Sequence, residues 1–466
     1  MLDILPAVTT ATLRALLIVM LCLPAALWIR PILGGRQPAR LSLWALLLLP
    51  CLTPALLTGY GYYNYSLSLI HHPALNELLY TLLVALRVLP VAVVILCFVP
   101  TAMQPSAAHC RRLLESSATA LAGRRIIDEL RGQATALTIA GVAVFLLAFG
   151  EFDMASLMMI KSWTVALFDN QAGGIPLATS LRLAALPFAI RLAALVLAFA
   201  VVLRAELQPH VSPAPRDTGR RGPVTALIVS ALIVTGFPAL VVLRGIPQGL
   251  GTVFSNFAIG GELLASVVFA AGATVLAWLA ARHLTTKRSA GAIATAVILS
   301  AIGLLGPLLL GLLLVALFQT RALRPLYDSP LPLLIALTLL LFPFAVLLRL
   351  AFDAFSEDSP VHTARLLGAQ GREESGKARQ LLWVLHGSRE FWAAFILFTW
   401  AYSNVIAAAM LAPTWATPVF VRLYNFMHYT QTAVLSTMVC IVIAVPLLLL
   451  AIGAGSNGLV ARWCAK

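Results

Sequence analysis

Long apolar runs separated by short polar segments are the dominant pattern along this chain. A helix needs about 20 apolar residues to cross a bilayer, and lipid offers no hydrogen-bond partners to the backbone. We therefore predict an all-α, polytopic membrane protein with about 11 transmembrane helices. Glycine and proline at 306 and 307 predict a tilt or kink in the long eighth span. The predicted spans are 10–29, 41–59, 78–99, 134–150, 183–203, 223–243, 261–281, 291–318, 331–350, 391–411 and 433–453.

The composition agrees with a lipid environment. Hydrophobic residues make up 61% of the 466 residues and charged residues only 11%, whereas soluble domains are about half apolar and a quarter charged. The net charge of +14 does not indicate a nucleic-acid partner, because the basic residues lie in short segments between apolar runs. The six cysteines have no paired spacing, so we expect neither a disulfide framework nor a metal site.

The distribution of basic residues predicts the orientation. With the N-terminus outside, six inward segments hold 22 of the 32 Lys and Arg residues, and the outward side holds six. Lys and Arg accumulate in cytoplasmic loops. We therefore expect a multi-pass protein of the bacterial inner (plasma) membrane, with a periplasmic N-terminus and a cytoplasmic C-terminus.

Three inward segments are longer than the other connections. Segments 101–133 and 351–390 are polar and helix-compatible, and long ordered loops in compact proteins are usually functional. Segment 204–222 is rich in proline and glycine, which indicates a linker. We predict a first half at 1–203 (spans 1–5), a cytoplasmic linker at 204–222 and a second half at 223–466 (spans 6–11).

Two pairs of prolines indicate an internal repeat. Pro54 and Pro307 are 253 positions apart, and so are Pro90 and Pro343. The two prolines of each pair lie in matched spans. Pro90 precedes the long inward segment 101–133, and Pro343 precedes the long inward segment 351–390. Spans 1–5 are therefore predicted to match spans 7–11 and to cross in the same direction, as a parallel repeat. Span 6 has no partner.

Ionisable groups within the spans are few. Arg87 and Arg191 lie deepest, where an unpaired charge costs at least about 2.5 kcal/mol. They either line a path for an anionic solute or bond carbonyls that Pro90 and Pro187 leave free. All eight histidines fall in loops, and of the acids only Glu151 and Glu262 reach span ends. This scarcity disfavours ion coupling through titratable groups.

Two further segments have more than one interpretation. Residues 371–378 imitate a phosphate-binding loop, but Ala378 lacks the hydroxyl that holds magnesium and no strand precedes it. We therefore predict no ATPase and no enzyme activity on this chain. The tyrosine-rich segment 59–75 is predicted to be an outward loop, whose tyrosines anchor it at the membrane interface or dock an external partner.

Several motifs resemble those of the inner-membrane permeases of binding-protein-dependent ABC importers. Leu49-Pro50 through Pro54 and Gly59 is similar to the proline-bearing span of each permease half. The similarity is to the fused, two-half kind that serves ferric iron, thiamine and similar solutes. It implies a type I ABC-importer permease-like fold in two parallel-repeat halves (5 + 6 spans).

The resemblance extends to the loops that couple such permeases to their ATPases. The family motif is E-A-A-x-x-x-G, on a short helix that seats in a groove of the ATPase. Residues 362–369 look like this motif with histidine in place of glutamate, and 115–118 begin similarly with a later glycine. The implied coupling residues are Glu115, Ser116, Ser117, Ala118, Gly123, His362, Thr363, Ala364, Arg365, Gly368 and Ala369.

The family's position after each loop, where a small residue and an acid are common, is occupied by Gly150-Glu151 and by Ser403-Asn404. Together with Arg87 and Arg191, these residues are our candidates for the translocation path. The resemblance implies two ABC ATPase subunits on the inward loops, with ATP and magnesium bound by those partners. It also implies a periplasmic solute-binding protein outside, surrounding membrane lipid, and no cofactor on this chain.

The resemblance thus implies the permease subunit of an ATP-driven importer, which moves ferric iron or a similar small solute by alternating access. A secondary transporter is the first alternative, and dependence of uptake on a proton gradient would favour it. A degenerate permease homologue without transport activity is the second.

Overall fold

Every regular element that the computed structural model describes is a helix. The description covers 4–33, 39–98, 133–204, 221–243, 259–287, 289–354, 387–428 and 432–465, and the isolated positions 251, 253, 366, 378 and 381–383. By packing, the chain divides into two compact units, Met1–Val241 and Val242–Lys466. We call them unit 1 and unit 2.

The described helices of unit 1 run in a simple order along the chain. They are α1 (Leu5–Leu33), α2 (Ala39–Leu52), α3 (Ala55–Ser68), α4 (Pro73–Phe98), α5 (Ala134–Phe149), α6 (Asp153–Leu157), α7 (Trp163–Ala172), α8 (Leu177–Arg204), α9 (Arg221–Ala231) and α10 (Phe237–Leu243). A π-helical turn, Leu232–Gly236, joins α9 to α10, and the unit boundary falls inside α10.

Unit 2 begins its described helices with a long span and ends with another. They are α11 (Ile259–Lys287), α12 (Ala290–Gly303), α13 (Pro307–Phe318), α14 (Leu331–Ala354), α15 (Ser388–Tyr402), α16 (Val405–Leu411), α17 (Val419–His428) and α18 (Thr432–Ala465). A short 3₁₀ turn, Arg324–Leu326, lies between α13 and α14.

The predicted spans agree with the helices. Eight described helices are long and apolar enough to cross a membrane, and three bent pairs raise the number to as many as eleven. Each of the eleven predicted runs coincides with one of these helices or pairs. Large apolar side chains such as Leu13 and Met20 are 68% and 72% exposed. Lipid solvates such surfaces without the cost that water would impose, so the chain is a multi-pass membrane protein by length and composition.

Two of the three bent pairs break at a proline. Pro54 precedes α3 and lacks the N–H that would continue α2, and the two helices bend by 70°. Gly306, with φ 87°, precedes Pro307 at the start of α13, and the bend from α12 is 101°. The predicted kink of the eighth span is thus confirmed. Between α15 and α16 the bend is 58°, at Ser403-Asn404.

The two units have the same order of helices. Lengths match along the series: α1 and α11 both have 29 residues, α2 and α12 both have 14, and α7 and α17 both have 10. The two bent pairs at Pro54 and Pro307 occupy the same place in this order. The span that comprises α9 and α10 follows the matched set of unit 1, and no described helix of unit 2 matches it.

The packing inside each unit repeats as well. In unit 1, α1 packs against α4 and α5, α2 against α4, and α3 against α6. In unit 2, α11 packs against α14 and α15, α12 against α14, and α13 against α16. The later helices of the two units also have matching neighbours, because α7 packs against α8 and α17 packs against α18. The observed order and neighbours agree with the repeat of spans 1–5 in spans 7–11.

One sequence expectation differs from the structure. The segment 59–75 is not a loop throughout, because α3 continues to Ser68. The sixth span packs against α2, and the division into compact units falls after Val241. The predicted linker 204–222 lies largely outside the described residues.

Candidate functional site

The candidate residues divide into a part that the structure describes and a part that it does not. All the coupling residues of the two inward segments, at 115–123 and 362–369, lie outside the described side chains. The six candidates for the translocation path are described. In unit 1, four of them lie near breaks between helices, and in unit 2 the other two lie at the break between α15 and α16.

Arg87, on α4, reaches the break between α2 and α3. Its Nε donates a hydrogen bond of 3.3 Å to the carbonyl of Thr53, next to Pro54. The last carbonyls of a helix have no intrahelical partner and carry partial negative charge, so a guanidinium stabilises them. The acceptor of this hydrogen bond lies at the α2–α3 break and not in the turn that precedes Pro90.

Arg191, on α8, lies at the end of α5. Its side chain is buried, and a Cβ built on Gly150 would be 3.4 Å from its Nη2. Gly150 is the C-terminal cap of α5, and its N–H donates to the carbonyl of Leu146. The absence of a side chain at Gly150 therefore leaves room for the guanidinium at the negative end of the helix dipole.

Glu151 caps the short helix α6. Its Oε1 accepts a hydrogen bond of 2.7 Å from the N–H of Met154, and its Oε2 accepts one of 3.0 Å from the N–H of Ala155. The buried hydroxyl of Tyr80 donates to the same Oε2 at 2.7 Å. These three donors satisfy a carboxylate that is itself buried, which is what makes its burial tolerable.

Arg14 extends this polar network toward the beginning of α4. Its guanidinium forms an ion pair with Glu77 and donates to the carbonyl of Lys161 at 3.0 Å. It also lies over the ring of Tyr80, with Cζ 4.9 Å from the centroid. The sequence analysis missed this pair, because Glu77 is 63 positions from Arg14 and falls just before the predicted span.

Asp153 is the remaining acid near the breaks of unit 1. It begins α6, and both Glu151 and Arg87 lie close enough to act on its charge. The structure thus brings Arg87, Glu151 and Asp153 into one polar region between the α2–α3 and α5–α6 breaks. The packing of α3 on α6 holds them there, where a Cβ on Gly59 would be 3.1 Å from the Cα of Met154.

At the corresponding break in unit 2, a neutral asparagine caps the following helix in the way that Glu151 does in unit 1. Asn404 Oδ1 accepts a hydrogen bond of 3.1 Å from the N–H of Ala407, at the beginning of α16. Asn404 and Ala407 follow Glu151 and Met154 by 253 positions each, which is the offset between Pro54 and Pro307. Ser403 donates to the carbonyl of Thr399 at 3.0 Å, inside its own helix turn.

Unit 2 contains two described ion pairs of its own. Glu262, in the first turn of α11, pairs with Arg422 of α17 at 2.5 Å. Ser266 supports this crossing by accepting a hydrogen bond of 2.8 Å from the N–H of Val419. Arg349 pairs with Glu390, which joins α14 to the first turn of α15.

The tyrosine-rich segment packs inside unit 1. The Tyr62 hydroxyl donates to the carbonyl of Ile233 at 3.0 Å, and the Tyr62 ring lies 4.9 Å from that of Phe237. Tyr65 is 53% exposed, and His71 and His72 are exposed. Tyr62 therefore holds two helices together, a role that the sequence alone did not indicate.

The shared feature of these groups is their position at helix ends. Arg87 and Arg191 lie at carboxyl ends, and Glu151 and Asn404 lie at amino ends, which is the arrangement that helix dipoles favour. Among the described residues, no three His, Cys, Asp or Glu side chains come together as a metal site would require. No protein family, curated protein or solved structure matches the chain.

Proposed function

We propose that this chain is the membrane-spanning permease subunit of an ATP-driven importer. It moves a small solute, ferric iron or a similar one, into the cell by alternating access. The observation that carries the proposal is the duplicated helical unit, in which matched spans break at matched positions. Duplicated bundles with discontinuous helices are typical of transport proteins, because irregular backbone in a membrane is tolerated where it lines a path.

The inward segments support the ATP-driven form of the proposal. Each follows a matched helix, α4 or α14, and each carries a motif that resembles a coupling loop. Energy then comes from two ATPase subunits, which bind ATP and magnesium and dock on 101–133 and 351–390. A periplasmic solute-binding protein delivers the solute. In this arrangement the N-terminus is periplasmic and the C-terminus cytoplasmic.

A first experiment tests the composition of the complex. The chain, with an affinity tag at its C-terminus, is purified from its native membrane in a mild detergent, and the accompanying proteins are identified by mass spectrometry. We expect a stoichiometric partner with a phosphate-binding loop and magnesium-dependent ATPase activity. A complex that transports solute without such a partner would end this proposal.

Substitutions in the coupling motif provide a sharper prediction. Gly368→Glu and Ala364→Glu are expected to remove most ATP-driven uptake in membrane vesicles, because a bulky charge in the motif prevents docking in the ATPase groove. The amount of protein in the membrane should stay unchanged. Gln380→Glu is the matched control, since it adds the same charge to the same segment outside the motif. Equal uptake by all three variants would argue against the assignment.

A secondary transporter is favoured by one observation. Glu77, Glu151 and Asp153 lie in described spans of unit 1, so titratable groups are present where the sequence analysis expected few. Proton coupling uses such groups. The two proposals separate in vesicles, where uptake follows either added ATP or an imposed proton gradient in the absence of ATP.

A further inference from the structure

The span without a counterpart, α9 to α10, contacts the broken span of unit 1 through a series of hydrogen bonds. Its π-helical turn exposes carbonyl groups that an α-helix would use internally. Tyr62 donates to the carbonyl of Ile233 at 3.0 Å, and Thr58 donates to the carbonyl of Val234 at 3.2 Å. We call these contacts, with the one described next, the hydroxyl seam.

The third contact of the hydroxyl seam lies at the break itself. The hydroxyls of Thr53 and Thr235 are 2.6 Å apart, and Thr53 immediately precedes Pro54. Thr58 and Tyr62 belong to α3, on the other side of the break. The seam therefore joins the break and α3 to one neighbouring span, and α2 packs against the same span.

Close packing reinforces the seam. Gly61 lies directly on Pro238, where a Cβ would be 2.7 Å from the proline Cα. The Phe237 ring contacts the rings of Tyr62 and Tyr65, at 4.9 and 5.5 Å between centroids. A glycine on a proline allows the two helices to approach more closely than any other side chain would permit.

The matched positions of unit 2 cannot form such a seam. Residues 253 positions after Thr53, Thr58 and Tyr62 are Gly306, Gly311 and Val315, and none has a hydroxyl. Gly306 also has a positive φ, which only glycine adopts without strain. Here α13 meets α16 through Met410, whose side chain lies against Gly311 and adapts readily to a shifted neighbour.

We propose that α9–α10 is a clamp that keeps the first broken span at a fixed angle, so that the change of bend during the working cycle occurs at the α12–α13 break. Hinges are short segments that absorb backbone rotation, and Gly306 supplies one in unit 2. The fixed break then lies in unit 1 and the moving break in unit 2. The clamp rests on contacts within unit 1, whereas the change of bend at the α12–α13 break rests on the proposed transport cycle.

Hydrogen exchange of the full chain in lipid nanodiscs tests the clamp. Amides of 59–65 in α3 should be at least tenfold better protected, after correction for sequence, than amides of 312–318 in α13. Thr58→Val with Tyr62→Phe removes two hydrogen bonds of the seam and should accelerate exchange in α3 about tenfold. Exchange in α13 should not change.

Two further variants separate the loss of seam hydrogen bonds from a general loss of folding. Tyr62→Phe alone preserves the ring contacts and the fold, and it should accelerate exchange in α3 severalfold. Thr295→Val is the matched control, because its hydroxyl bonds only within its own helix, to the carbonyl of Gly291. Equal protection of α3 and α13 in the native chain, or unchanged exchange in α3 when Tyr62 is replaced, would overturn the clamp.

Discussion

Replacing Gly303 by alanine should destabilise the protein by about 3 kcal/mol, at the upper end of the usual cost of overpacking. Gly303 ends α12, where a Cβ would collide with the backbone carbonyl of Leu339 and approach Pro343 Cδ to 2.9 Å. Backbone and proline ring cannot rotate aside as a flexible side chain would. The expected result is a large loss of thermal stability in detergent, measured by size-exclusion chromatography after heating.

A matched glycine in the same helix makes the test specific. Gly291 lies in the first turn of α12, and no heavy atom is within 4 Å of a Cβ added there. Gly291→Ala should therefore leave stability unchanged or raise it by about 0.5–1 kcal/mol, since alanine is the better helix former. A similar effect of the two substitutions would contradict the close approach of α12 to α14.

Replacing Glu151 by alanine should have the second large effect. Three buried donors, the N–H groups of Met154 and Ala155 and the hydroxyl of Tyr80, would lose their acceptor together. Each unsatisfied buried donor costs about 1–3 kcal/mol, so three of them together are expected to cost at least about 3 kcal/mol. The same heating assay measures it, and transport should fall with the amount of folded protein.

Asn404 provides the control for Glu151, because it caps the matched helix of unit 2 with a single hydrogen bond. Asn404→Ala should cost about 1 kcal/mol, the usual value for a lost N-cap. The difference between the two variants measures what the network with Tyr80 adds to the cap. Equal losses would show that the network of unit 1 contributes nothing to stability.

The two deepest arginines in the spans have a structural explanation. Arg87 and Arg191 lie at the ends of broken helices, where they stabilise exposed carbonyls and a helix dipole. A positive lining for an anionic solute is therefore not needed to explain them. The polar region around Asp153 in unit 1 has apolar residues at its matched positions in unit 2, Leu340 for Arg87 and Ile406 for Asp153. The matched positions thus share a helix order and differ in their chemistry.

The sequence by itself determined the positions and order of the apolar helices, the kink at Gly306-Pro307 and the offset of 253 between two pairs of prolines. These are properties of consecutive residues: apolar length decides whether a helix can cross lipid, and a glycine followed by a proline favours a break in a helix. The caps at Glu151 and Asn404 also follow this offset, so closer inspection of it would have identified them.

Only the tertiary structure decided which groups meet. Arg14 pairs with Glu77 63 positions away, Arg87 bonds Thr53 at the break between α2 and α3, and Tyr62 reaches Ile233 in the sixth span. The packing of that span in unit 1 was equally hidden, because a uniformly apolar helix does not indicate which neighbour it prefers. Partners in lipid are chosen by shape and hydrogen bonding rather than by hydrophobicity, and these depend on side chains that come together only when the helices pack.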